Sequence, residues 1–222
     1  NVNETQLKNH LIYLASDELQ GRLAGSEGEQ KAANYIQKYF KKLGLKTHLQ
    51  PFEYSIKLNP HDENSSTPSK GTNVIGYLDN KAAKTIVIGA HYDHLGLNQH
   101  HQSTLMNSDG QIHNGADDNA SGVSAVMELA RIFAKNKTQE KVNYVFALFS
   151  AEEDGLIGSK KFAENVKSQY PNVVTMINMD MVGRLDKDKN LTVGGVGSSP
   201  IFPDLVKKVK PAGYNITLDE SG

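Results

Sequence analysis

A chain of 222 residues with 38% hydrophobic content can bury one sizeable core, and a single catalytic-sized domain over residues 1–222 is expected. Its 24 basic residues against 25 acidic ones leave a net charge of −1 without a basic block, which argues against nucleic acid or an anionic membrane as partner. The absence of cysteine excludes disulfides, thiolate metal sites and thiol nucleophiles, and no apolar run approaches the length of a membrane span.

The chain starts at Asn1 with neither a charged n-region nor an apolar h-region. It reads as a trimmed or mature chain whose signal peptide has gone, with an extracytoplasmic, secreted location expected. Leu7, Leu11, Tyr13 and Leu14 then share one side of a helix over residues 5–15. A second helix over 27–43 is opened by Ser26 as N-cap and closed by Gly44. Alternation over 46–58 predicts a strand, 59–72 a polar loop, and 73–78 and 85–90 two strands joined by a turn at Asp79-Asn80-Lys81.

The last of these strands runs into GAHYDHLG at 89–96. Residues 97–115 follow, nineteen positions rich in His and Asn and without periodicity. Loops this long inside a domain are usually functional or disordered, and this one is expected to cover a substrate cleft. GADDNASG at 115–122 leads into a helix over 120–134, with Val123, Val126, Met127, Ala130 and Phe133 on one face. The apolar run 142–149 reads as a strand buried on both faces and delivers SAEEDG at 150–155. A helix over 156–169, an apolar strand over 172–179 ending in Asp180, and a helix over 201–210 complete the alternation. This order predicts an α/β fold: a three-layer sandwich with a central twisted, mostly parallel mixed sheet flanked by helices. Ligands in such sheets gather beyond the carboxyl ends of the strands. The glycine-rich residues 194–199 lack the lysine of a P-loop and read as a turn, and 186–189 as a solvated loop.

His91, Asp118, Glu152, Glu153 and Asp180 all fall where strands end or helices begin, so four distant stretches can converge on one rim. Taken singly, three of the clusters have plainer readings. His91-x-Asp93 serves equally as a capping pair, Asp117-Asp118 as acidic charge at a helix N-terminus, and Glu152-Glu153 as an acidic first turn. Asp180 differs, because a charge closing an apolar strand is costly unless paired or metal-bound. The sharper reading is a two-metal hydrolase. One carboxylate bridges two cations about 3.5–4 Å apart, and Asp93 orients the His91 ring. Of the divergent neighbours Glu152 and Glu153, one binds metal while the other takes a proton from water.

Together the clusters resemble, in order and spacing, the bacterial di-zinc aminopeptidases of metallopeptidase family twenty-eight. The spacings are 27 residues from His91 to Asp118 (118 − 91), 35 on to Glu153 (153 − 118) and 27 on to Asp180 (180 − 153). The stretch LIYLASDELQGRLAGSEGEQKAANYI at 11–36 resembles the same family. The resemblance implies a zinc-dependent aminopeptidase acting on peptides. It implies His91 and Asp180 on one zinc, Glu153 on the other and Asp118 bridging both. It further implies Glu152 as general base and then acid, Asp93 orienting His91, and a cis peptide bond at Asp118–Asn119. The family supplies one more histidine, near its C-terminus, to the metal held by Glu153, and no histidine follows Asp180 here. A C-terminally truncated catalytic domain is therefore expected, with one of its two zinc sites short of a ligand and weak or no activity. His94, His100, His101 and His113 read as solvated loop residues rather than substitutes. The alternatives are a glutaminyl-cyclase-like acyltransferase with a single zinc, against which both His91 and Asp180 argue, and an inert binding domain.

Overall fold

Strand β4 (Asn143–Phe149) is buried along its whole length because its alternate residues enter two different layers. Tyr144, Phe146 and Leu148 join Leu14, Ile36, Phe40, Val123 and Met127 on one side. Val145, Ala147 and Phe149 pack with Ile75, Val87, Phe162 and Tyr170 on the other. Each large side chain so buried stabilises the fold by about 1.5–3 kcal/mol. The first layer is built by helices α1 (Glu4–Leu14), α2 (Glu27–Lys42) and α3 (Gly122–Lys135), the second by α4 (Ile157–Gln169). Between them lies a five-stranded sheet in the order β1 (Lys46–Lys57), β2 (Ser66–Leu78), β4, β3 (Thr85–His91), β5 (Val173–Asn178). This is the three-layer α/β sandwich that the sequence predicts. The pairs β1/β2 and β2/β4 are antiparallel, β3/β4 and β3/β5 parallel, so two of the four pairings, rather than most, are parallel, and both lie towards β5.

The structure, a computed structural model, describes residues 1–57 and 66–221. The chain, expected as one domain, falls into two units, residues 1–181 with the sheet above and residues 182–222. The smaller unit holds β6 (Asn190–Val193), α5 (Phe202–Val209) and β7 (Asn215–Leu218), with β6 and β7 paired in parallel.

Local chemistry explains most boundaries. The Ser26 hydroxyl accepts from the Glu29 N–H at 3.1 Å and caps α2, and Lys41 and Lys42 stand in its last turn, where the helix dipole favours them. The expected loop over 59–72 is corrected in part. Residues 66–72 belong to β2, paired from Lys57 opposite Ser66 to Pro51 opposite Thr72, and residues 58–65 lie outside the described residues. The partner strand supplies the order there, which an unpatterned Ser, Thr and Pro sequence does not announce. Strand β5 also departs from expectation. Among the described residues it is the sheet's edge strand, and Val174, Met176 and Ile177 are exposed.

Candidate metal centre

Strand β3 lies between β4 and β5 and runs parallel to both, so three carboxyl ends emerge side by side. His91 closes β3, Glu152 and Glu153 follow β4, and Asp180 follows β5. A wide, kinked turn at Ala116–Ser121, ahead of α3, brings in Asp118. The His91 Nε2 atom is 3.2 Å from Asp118 Oδ1, 3.5 Å from Asp180 Oδ1 and 3.9 Å from Glu152 Oε2. One ligand atom each from His91, Asp118 and Glu153 lie within 4.8 Å of one another. All the residues expected to form the site converge. The Asp118–Asn119 peptide bond is cis, as the resemblance implies.

The donors suit zinc on two grounds. Two atoms each about 2.1 Å from one tetrahedral ion stand about 3.4 Å apart. The separations of 3.2 and 3.5 Å from His91 to Asp118 and Asp180 match that figure. Charge points the same way. Burial by itself would lower the pKa of the His91 ring, which is 3% exposed, but bonds to Asp118, Asp180 and Asp93 outweigh it and hold the value at about 12. The carboxylates thus retain a positive charge where burial would normally expel one, as a cation site requires. Asp118 is held below the usual carboxylate range by its bond to His91, against the opposing effect of burial.

Asp93, almost wholly buried, has more to do than orient His91. Its carboxylate accepts from the backbone N–H groups of Glu152 at 3.1 Å and Glu153 at 3.4 Å, while His91 Nδ1 stands 3.7 Å away. It therefore fixes the turn after β4 against the end of β3. Burial pushes the Glu152 carboxyl above its ordinary value, with Glu153, Asp93 and Asp180 adding and His91 opposing. A half-buried carboxylate so raised is suited to take up a proton.

Several supporting residues carried no readable signal. Arg22 is buried and donates to the carbonyls of Tyr92 (2.7 Å), Asn114 (2.8 Å), Gly115 (3.0 Å) and Leu14. Burial lowers its pKa to about 10, while Asp93, Asp118 and Glu153 oppose the shift. Asn119 staples two ligand segments together. Its Nδ2 donates to the Met179 carbonyl at 2.9 Å, and its Oδ1 accepts from Gly122 N at 3.0 Å and Met181 N at 3.3 Å. Glu29 accepts from the hydroxyls of Ser150 and Tyr92 and from the N–H groups of Gly25 and Thr72. Its place in the first turn of α2 suggested only a helix end.

Three of the loop histidines are not solvated, which corrects the expectation for them; His113 has its Nε2 shut off from solvent. His94 is buried with Nδ1 2.6 Å from Glu153 Oε1. His100 Nδ1 is 2.9 Å from Asp154 Oδ1, and Asp154 also receives the Tyr54 hydroxyl. Gln102 donates to the Glu153 carbonyl at 2.7 Å. The nonperiodic segment 97–115 is thereby bonded down onto residues 153–154.

The family model for Peptidase family M28 matches residues 73–221. A probable zinc metalloprotease of Pyrenophora teres f. teres (strain 0-1) is 45% identical over 78 residues, 35% of this chain and 16% of that protein. The structure of the LapA aminopeptidase of Legionella pneumophila is similar with a TM-score of 0.72 and 25% identity, over 100% of this chain and 56% of that one. A glutaminyl cyclase of Porphyromonas gingivalis has a TM-score of 0.78 at 16% identity, over 98% of this chain and 77% of that one, a likeness of fold. The chain spans at most about half, 53%, of the length of the first curated relatives it matches.

Proposed function

This chain belongs to Peptidase family M28, and we propose that it is a zinc-dependent aminopeptidase that releases N-terminal amino acids from peptides, with Glu152 as general base. The observation that carries the reading is the position of His91, within 3.5 Å of both Asp118 and Asp180 and 3.9 Å from Glu152. His91 and Asp180 would hold one zinc, Glu153 a second, and Asp118 would bridge the two. Bound zinc supplies Lewis acidity, polarising the scissile carbonyl and lowering the pKa of water from 15.7 to about 7.

The chain's own groups then carry the proton. Glu152 takes one from the attacking water, whose oxygen bonds to the carbonyl carbon. It holds that proton on a carboxyl already raised by burial, and delivers it to the departing amine nitrogen as the C–N bond breaks. Asp93 keeps the backbone of Glu152 in place through its two accepted N–H bonds to residues 152 and 153.

The test compares three substrates with the zinc-supplemented chain: leucine 4-nitroanilide, its N-acetyl derivative, and a peptide with N-terminal glutamine. Release from the free amine alone is expected, slow because the site held by Glu153 is short of a histidine, with Glu152→Gln lowering kcat about 100- to 10,000-fold at unchanged zinc content. Release indifferent to Glu152→Gln refutes the general-base role. Cyclisation of the glutamine peptide in place of hydrolysis points instead to an acyltransferase on the same fold.

A further inference from the structure

His94 stands three residues beyond His91, in the segment leaving β3, and none of the roles above uses it. Its ring is boxed in on two sides. Nδ1 lies 2.6 Å from Glu153 Oε1. The opposite neighbour is Gly115, whose φ of +57° already favours glycine and where an added Cβ would lie 2.6 Å from the ring's Cγ and Cδ2. The backbone closes the frame. His94 N donates to the Arg22 carbonyl at 3.3 Å, and Arg22 donates back across the ring to the Gly115 carbonyl at 3.0 Å. His94 therefore joins the Glu153 segment to the segment that carries Asp118.

We propose that His94 is a positioning residue for Glu153. Its Nδ1–H donates to Oε1 of the carboxylate, fixing the rotamer and leaving Oε2 free to bind metal. This inference rests on the zinc reading above. A ligating carboxylate is itself hydrogen-bonded in well-formed metal sites, and loss of such a partner weakens binding about 10- to 100-fold. Glycine at 115 leaves room for both the imidazole and the Asp118 carbonyl, each of which an added Cβ would overlap. The bland alternative is that the ring only fills space beside Glu153.

Substitutions separate the two. In His94→Asn an amide N–H can reach about where Nδ1 does, whereas His94→Leu keeps bulk and removes the donor. Zinc titration of the metal-free chain against a chromophoric chelator should find one of two binding steps weakened about 10- to 100-fold in His94→Leu, the other step unchanged, and His94→Asn close to wild type. Equal zinc affinity in His94→Leu and wild type overturns the inference, and so does a His94→Asn variant as impaired as His94→Leu. Should His94→Leu fail to fold, long-range proton–nitrogen spectra of the zinc-loaded wild type decide: a protonated Nδ1 on His94 supports the donor role, and a bare, metal-bound Nδ1 overturns it. A wild-type chain that takes up no zinc sinks the metal reading itself, a result distinct from all of these.

Discussion

Raising the pH of the metal-free chain should destabilise it by the linkage of one proton, the one held by His91. Unfolded, the imidazole titrates near 6.5; folded, burial pulls that value down, but the bonds to Asp118, Asp180 and Asp93 more than offset it and bring it to about 12. Because the folded value lies above the unfolded one, the stabilisation is complete below pH 6.5 and is lost as the pH climbs towards 12. Inside that window the native state carries one more proton than the unfolded chain, so the unfolding free energy falls by about 1.4 kcal/mol per pH unit. From pH 7.5 to 8.5 the loss is about 1.4 kcal/mol, a readable share of the 5–15 kcal/mol typical of a domain. The interval also isolates His91. His10, lowered by burial to about 4, and His48, likewise lowered, titrate beneath it, while Arg22, lowered to about 10, and the tyrosines, near 10 unfolded and raised when buried, titrate above. Urea titrations at several pH values give the slope, and His91→Asn should flatten it. Zinc binds the unprotonated ring, so calorimetry in two buffers of different ionisation heat should register one proton released with the first zinc at pH 8. Stability that stays level across the interval, or binding without proton release, refutes the argument that the carboxylates keep His91 charged.

Two substitutions probe the supports rather than the ligands. Arg22→Met removes a donor from the carbonyls of Leu14, Tyr92, Asn114 and Gly115, of which Gly115 alone keeps another among the described residues, the Ala120 N–H at 3.0 Å. At about 1 kcal/mol or more for each of the three left unsatisfied, the urea midpoint should report a loss of about 3 kcal/mol, and a variant as stable as the parent would mean that water serves those carbonyls equally well. Asn119→Ala removes three hydrogen bonds around Asp180 and should cost about 3 kcal/mol at roughly 1 kcal/mol each. Its zinc affinity should drop alongside; stability lost with zinc binding intact would show that Asn119 does not hold Asp180 in register.

The residues gathered at the candidate site stood out because strand ends are where apolar runs stop, and a charge placed there is conspicuous; their proposed roles as ligands came from the family resemblance. Asp180 after the run 173–179 and His91 after 85–90 are of that kind, and the structure sets them 3.5 Å apart. The helices were legible through caps such as Ser26. What stayed hidden depends on partners far along the chain. Residues 66–72 are a strand because β1 offers them a ladder, and β5 is exposed because nothing among the described residues pairs with its outer edge. Arg22 and Glu29 lie in the stretch at 11–36 and Asn119 beside Asp118, yet their supporting roles had no local sign, since what distinguishes them is burial among carbonyls and hydroxyls from distant segments. His94 is the sharpest case. Its neighbours Gly115 and Glu153 lie 21 and 59 positions later (115 − 94, 153 − 94), beyond the reach of any local pattern.

The central place of β3 has a consequence for how the protein lives with its metal. Asp180 lies 89 residues after His91 (180 − 91) and meets it only once β5 has docked on β3. No short stretch of the unfolded chain gathers these groups, and contacts so distant form late in folding. An ion that recognises only the finished arrangement leaves the rate of assembly to the polypeptide and slows disassembly instead. A zinc ion held there would lengthen the lifetime of the folded chain without hastening its folding.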